Sequence, residues 1–328
     1  MKNFGAVKGH EHIIKNLKSA LRNGKTSHAY IISGPDGVGK RTVADAFARA
    51  LQCEEYDGDS CGKCISCRSF DSGNHPDVFY VVPTKTKSLG VDDIRDQLIK
   101  HSEIKQYKYK YKVFIVENAD TMTTQAQNAL LKTLEEPPHY VVILLLAESA
   151  DAFLPTIVSR CVNLKLNPLS AGEVKDYLIG NENADVEKAD FYAEYSQGCI
   201  GKAVELMNSE DFAEKRKTVL ECIMESSAGG VIEAMNCAKK LEAYKGDNTM
   251  LDVAEMFFRD VLVYNTTKDK SLVIQKDLMD DIKKLSRKLS AEKIIARCDA
   301  VKEAQMQLKS NANFALTMEV MLMKFNDK

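Results

Sequence analysis

Along the first half of the chain, short apolar runs alternate with segments whose apolar residues recur every three or four positions. Ile13, Leu17 and Leu21 mark one face of a helix, and Ala29-Tyr30-Ile31-Ile32 then reads as a short buried strand entering Gly34. Val43, Ala46, Phe47 and Ala50 share a helix face just after that glycine. Residues 78–82, 113–116 and 141–147 are short, continuous apolar runs and predict further buried strands. Between the last two, TTQAQNALLKTLEEPP puts Ala126, Leu130 and Leu134 on one face, and Pro137-Pro138 stops the helix. Strands alternating with helices predict a parallel sheet covered by helices.

The pattern changes near Asn167-Pro168. Ser170-Ala171-Gly172-Glu173 has the form of a capping box, and the sequence beyond it is helical, with no convincing strand. Gly198 and Gly201 punctuate a small helical unit ending near Ser209. Phe257, Val261 and Tyr264, then Ile294, Cys298, Val301 and Leu308, keep helical spacing and read as bundle core. The expected class is α/β followed by all-α, divided at 1–166, 167–209 and 210–328. No internal repeat or low-complexity tract interrupts it.

Composition narrows the possibilities. With 328 residues, 45% hydrophobic and 28% charged, the chain can bury a large core in two or three domains. Its 45 basic and 47 acidic residues leave a net charge of -2, so no global field draws it to DNA or to an anionic membrane. The start, MKNFGAVKGHEH, lacks the apolar core of a signal peptide, and the run 141–147 is too short to cross a bilayer. A cytosolic, reducing location is expected, where nine cysteines argue against a disulfide scaffold.

Gly34-Pro35-Asp36-Gly37-Val38-Gly39-Lys40 lies between a predicted strand and a predicted helix, the context in which such a sequence forms a phosphate-binding loop. Glycines let backbone N–H groups close on phosphate oxygens, the helix N-terminus adds positive potential, and Lys40 reaches the outer phosphates. The next residue should carry a hydroxyl for Mg²⁺, yet it is Arg41, which cannot ligate a cation. Thr42 comes one residue late, turned about a hundred degrees around the helix. A second acidic site is expected at the end of KVFIVENAD. There Glu117 can serve a metal, but Asn118 stands where a base should be, and an amide cannot take a proton from water.

Cys53, Cys61, Cys64 and Cys67 are spaced C-x₇-C-x₂-C-x₂-C. Short turns of this kind deliver thiolates to one tetrahedral ion, and four thiolates fill a structural zinc shell. Cys161, Cys199, Cys222, Cys237 and Cys298 are scattered singly and read as core residues. The lysine–tyrosine alternation from Lys105 to Lys112 could stack on single-stranded nucleic acid, but a solvated strand entry explains it without a binding module.

The order of HAYIISGPDGVGK, the four cysteines, HPDVFYV, VDDIR, KVFIVENAD, NALLKTLEEPP and LPTIVSRC resembles the clamp-loader branch of the AAA+ ATPases. The motifs cover residues 1 to about 166, and NANFALTMEVMLM is similar to the family's last collar helix. The resemblance implies an AAA+ P-loop domain (1–166) with a zinc module (53–67), a small helical lid (167–209) and a helical collar for oligomerisation (210–328). It implies a cytoplasmic hetero-oligomeric ring with gamma/tau-type and delta-type subunits of a bacterial DNA polymerase III, acting on the sliding clamp and primed DNA and touching no membrane.

Relatives that hydrolyse ATP carry Thr after the loop lysine and Asp-Glu at the second site. The resemblance therefore makes Gly34, Gly37, Gly39, Lys40, Arg41, Thr42 and Glu117 a degenerate site, where ATP or ADP could be held but not hydrolysed. The strand ending Leu146-Ala147-Glu148 lacks the hydroxyl or amide that such relatives aim at the terminal phosphate, and Lys202 stands where they place a lid arginine, with a solvated helix residue as the alternative reading. In Ser159-Arg160-Cys161 the resemblance implies an arginine finger, Arg160, reaching the next subunit's ATP site, with a helix cap as the alternative role. The expected function is a non-hydrolysing clamp-loader subunit. The competing expectations are an active ATPase of gamma/tau type with Glu117 on the metal, and a zinc-dependent adaptor unrelated to replication.

Overall fold

The computed structural model describes residues 3–55, 58–84, 88–247, 249–310 and 312–326. Tyr56 and Asp57 within the cysteine segment, Asn311 of NANFALTMEVMLM, and Met1 and Lys2 lie outside the described residues. The chain forms two compact units, one of residues 1–184 with 196–203 and one of 185–195 with 204–328.

The first unit runs α1 (Glu11–Arg22), β1 (Ala29–Ser33), α2 (Lys40–Leu51), α3 (Ile65–Asp71) and β2 (Val78–Val81). A helical stretch follows, made of α4 (Val91–Ile94), a π-helical turn over Arg95–Ile99 and α5 (Lys100–Ser102). Then come β3 (Lys112–Val116), α6 (Thr124–Glu135), β4 (Val141–Ala147), α7 (Pro155–Val158), β5 (Val162–Lys165) and α8 (Ala171–Glu182). All five strands are parallel, in the order β2-β3-β4-β1-β5.

Alternation within the apolar runs sorts their side chains between two cores. Tyr30, Ile32, Val113, Ile115, Val142 and Leu144 pack with Leu17, Leu21, Val43 and Phe47 from α1 and α2. Ile31, Phe114, Val116, Ile143 and Leu145 pack on the other face with Leu98, Leu130, Leu134 and Ile157. Because both faces are covered, β1, β3 and β4 are apolar at nearly every position rather than at alternate ones. The sequence reading missed β5: its VNLK is exposed at three of four positions, since it is an edge strand held beside β1 by backbone pairing. The expected capping box does form at α8, where Ser170 Oγ accepts from Glu173 N and Glu173 accepts from Ser170 N at 2.9 Å.

α9 (Val186–Tyr195) belongs to the second unit, and α10 (Ile200–Asn208) crosses the division at Ala203. The second unit continues with α11 (Phe212–Ala228), α12 (Val231–Leu241), α13 (Thr249–Thr267), α14 (Met279–Lys288), α15 (Ala291–Lys309) and α16 (Phe314–Met323), with no strand among its described residues. Phe257, Phe258, Val261, Ile294, Val301 and Met318 share its core, as the helical spacing implied. Buried Asp260 accepts from Gln275 N at 2.8 Å and pairs with Arg259 at 2.7 Å, which closes the turn before α14.

Candidate functional site

β1 sits inside the sheet between β4 and β5, and its carboxyl end opens into the glycine loop. Open parallel sheets bind ligands beyond the carboxyl ends of their strands. Gly39 caps α2 with φ 106°, and Gly37 has φ 77°, so both need the freedom of glycine. Gly37 is also closely approached: its carbonyl accepts from Gly201 N at 2.8 Å, and a Cβ there would lie 2.5 Å from Lys202 N. Lys40 folds back on the loop, donating to Gly34 O at 2.7 Å, Pro35 O at 3.2 Å and Asp36 Oδ1 at 3.0 Å.

Arg41 points to the end of β3. Its guanidinium pairs with Glu117 through Nη1, donates through Nε to Asp45 at 3.0 Å and lies 4.0 Å from the centroid of Tyr80. Tyr80 in turn donates its hydroxyl to Asp45 at 3.0 Å, and burial together with that carboxylate pushes its phenol up to about 12. Thr42 is exposed on α2 and takes no part in this cluster. Asn118 is exposed with φ 47° and ψ 46°, a left-handed conformation that asparagine tolerates. Asp120 accepts from Glu148 N at 3.2 Å, which ties the ends of β3 and β4 together. The structure thus gathers Gly34, Gly37, Gly39, Lys40, Arg41 and Glu117. Asp45 and Tyr80 were missed in the sequence, although Asp45 stands four residues after Arg41, the spacing of a helical ion pair.

The four predicted thiols meet. The Sγ atoms of Cys53, Cys61, Cys64 and Cys67 all lie within 4.8 Å of one another, and Cys61 and Cys67 are 4.0 Å apart. A tetrahedron of zinc–sulfur bonds of about 2.3 Å has edges of about 3.8 Å, so the sulfurs need close by no more than about 1 Å. Backbone N–H groups already point at them: Cys61 N to Cys53 Sγ at 3.3 Å, Cys64 N to Cys61 Sγ and Cys67 N to Cys64 Sγ, each at 3.4 Å. Burial pushes the Cys53 and Cys67 thiols up. Burial opposes ionisation of Cys61 too, but N–H groups of Lys63 and Cys64 and the thiols of Cys64 and Cys53 outweigh it and bring Cys61 to about 7. A donor set of this kind fits a metal ion. Buried Arg49 braces the module on α2, pairing with Asp71 at 2.5 Å and reaching Ser60 Oγ at 3.4 Å.

HPDVFYV sets the lysine–tyrosine loop. Asp77 N donates to His75 Nδ1 at 3.2 Å, leaving Nε2 to donate to Ser66 Oγ at 3.0 Å, and burial lowers His75 to about 4. The Asp77 carboxylate accepts from the backbone N–H of Tyr107, Lys108 and Tyr109 at 2.7, 3.1 and 3.2 Å. Tyr109 is buried, with its ring 4.5 Å from that of His75, so Tyr107, 83% exposed, is the one fully presented tyrosine of the run. That arrangement is a pinned loop, not a platform of stacking rings.

Arg160 lies just beyond α7. Nη1 donates to Thr156 O at 2.9 Å and to Ser159 Oγ at 3.3 Å, and Nη2 pairs with Glu135 Oε1 at 2.9 Å. α7 is set against α6 by Gln127, which donates to Ala152 O at 3.2 Å and accepts from Leu154 N at 2.9 Å. Glu135 stands 25 positions from Arg160, and no spacing in the sequence foretold the pair.

Comparison with known proteins gives these features a context. A family model described as DNA polymerase III, delta subunit, matches residues 9–170, and one for the C terminal part of that subunit matches residues 210–327. The Bacillus subtilis DNA polymerase III subunit delta' is 29% identical over 321 residues, 96% of this chain and 95% of that protein. The Pseudomonas aeruginosa subunit delta' is 29% identical over 309 residues, 91% of this chain and 92% of that protein. The Bacillus subtilis subunit tau is 27% identical over 347 residues, 98% of this chain but 61% of that protein.

Proposed function

The chain belongs to the family of delta' clamp-loader subunits of DNA polymerase III, and from that premise we propose that it completes the ring that loads the sliding clamp without hydrolysing ATP in its own site. The observation that carries the non-hydrolysing part is the Arg41–Glu117 pair. In a working phosphate loop the residue after the lysine and an acid at the end of a second strand hold Mg²⁺, which bridges the outer phosphates. Here a guanidinium stands between them, pinned by two carboxylates and a ring. It supplies charge but no coordination position for phosphate oxygen or attacking water. Asn118 offers no base, and Lys40 is engaged by acceptors of its own loop. ATP or ADP would have to displace those contacts, so it is held weakly and is not turned over.

The chain acts through its neighbours. Its partners are the gamma/tau-type and delta-type subunits, with the clamp and primed DNA reached through the assembled cytoplasmic complex. Arg160 enters the adjacent ATP site, where an arginine supplied in trans can be worth ~10³ to 10⁵ in rate. Cys53, Cys61, Cys64 and Cys67 would hold zinc, and their four thiolates would leave it no open position, so its role would be structural. In this reading 1–166 is the nucleotide-binding domain, 167–209 the lid and 210–328 the collar. Among the described residues no helix is long and apolar enough to cross a membrane, in keeping with a replisome subunit. Steady-state hydrolysis by the purified chain tests the reading: ATP turnover abolished by Lys40→Ala would make it an active ATPase of gamma/tau type instead.

A further inference from the structure

Arg160 is held from two elements at once. Thr156 O and Ser159 Oγ, at the end of its own short helix, take both hydrogens of Nη1, and Glu135, the last residue of α6, takes one from Nη2. A cap on α7 requires only the first of these, and the carboxylate adds nothing to the helix end. What Glu135 adds is a second fixed point, which turns a long side chain with many rotamers into one with a set direction. A guanidinium has five N–H groups. Among the described residues these contacts leave Nε and the second Nη2 hydrogen uncommitted, on a side chain 35% exposed.

We propose that Glu135 is a positioning residue for Arg160, fixing the guanidinium in the pose from which it meets a phosphate of the neighbouring subunit's nucleotide. The inference rests on the trans role given to Arg160 above. Donors aimed in advance at developing charge cost no reorganisation at the moment of reaction, and misplacement by an ångström can cost about a hundredfold in rate. An exposed ion pair contributes little to folding, so removing the carboxylate separates positioning from stability.

The test uses the ring reconstituted with gamma/tau-type and delta-type subunits, reading kcat and KM of DNA-stimulated ATP hydrolysis. Glu135→Ala and Glu135→Gln are expected to lower kcat at the site Arg160 serves by about threefold to thirtyfold, with KM unchanged and the ring intact. Glu135→Asp should recover part of the loss, and Glu135→Ala placed on Arg160→Ala should add nothing. Normal kcat in Glu135→Ala beside impaired Arg160→Ala would overturn the positioning role alone, as would a raised kcat or strictly additive losses. Normal kcat in Arg160→Ala would remove the trans arginine, and this inference with it.

Discussion

Arg41 on α2 pairs with Glu117 at the end of β3, joining the two places where a nucleotide-hydrolysing loop would hold its metal. The same guanidinium serves Asp45, which is buried and also accepts from Tyr80. In the proposed reading a cation belonging to the chain stands in for a divalent ion, held by two carboxylates and a ring.

The first prediction concerns metal dependence. Any affinity of the chain for ATP or ADP should be the same with Mg²⁺ and with a chelator, whereas Arg41→Thr should make binding stronger in Mg²⁺. Titration calorimetry in both conditions checks this. Arg41→Ala should also cost about 1 kcal/mol of stability, a modest figure because the arginine side chain is 43% exposed although Asp45 is only 6% exposed. Wild-type binding that requires Mg²⁺ would contradict the stand-in role of Arg41.

Metal removal gives the second. Carefully purified chain should carry one zinc, and a strong chelator should release it and expose the thiols of Cys53, Cys61, Cys64 and Cys67 together. Binding of structural zinc is worth on the order of 10 kcal/mol, so Cys67→Ser should lower the melting temperature of the first unit markedly. Protein with no metal and all four thiols titratable from the start would exclude the zinc site.

Two glycines should respond in opposite directions. Gly37→Ala puts a Cβ 2.5 Å from Lys202 N at φ 77° and should destabilise by about 1 to 3 kcal/mol. Gly180→Ala, inside α8 with nothing within 4 Å, should stabilise by about 0.5 to 1 kcal/mol. Urea unfolding of the two variants decides the matter, and equal effects would show that the loop does not depend on its close approach to Gly201 and Lys202.

The fourth concerns acid. Burial lowers His75 from 6.5 to about 4, so the folded ring stays neutral while the unfolded ring gains a proton as pH falls below 6.5. The unfolded state then binds more protons, and stability present in full above pH 6.5 is lost progressively toward pH 4, by at most about 3 kcal/mol. Unfolding curves at pH 7, 5.5 and 4.5 should show this slope reduced in His75→Gln. An unchanged slope would mean that His75 titrates normally in the folded chain.

Much of this was legible in the sequence, and the divisions have physical reasons. β1, β3 and β4 announced themselves because a doubly covered strand is apolar throughout, while β5, exposed at three of its four positions, is held by backbone pairing with β1 and carries no apolar run. The cysteine tetrad was readable because its ligands are close in sequence, with the outer pair only fourteen positions apart. The resemblance to clamp loaders, drawn from motif order, agrees with the family matches over 9–170 and 210–327. Arg41 was visible as a misfit, but its pairing with Glu117 and its stacking on Tyr80 were not, since those residues come from different strands. Glu135 was hidden for the same reason: its importance lies in a partner brought close only by packing of α6 on α7.

On the proposed reading this chain serves ATP hydrolysis through Arg160 and not through its own loop. The most direct test is DNA-stimulated ATP hydrolysis by the reconstituted ring, comparing wild type with Lys40→Ala and Arg160→Ala in this subunit alone. Lys40→Ala should match wild type, while Arg160→Ala should silence the one site it serves, where a trans arginine is worth ~10³ to 10⁵, and slow clamp loading with the ring still assembled. Loss of hydrolysis in Lys40→Ala together with normal rates in Arg160→Ala would contradict the account on both counts.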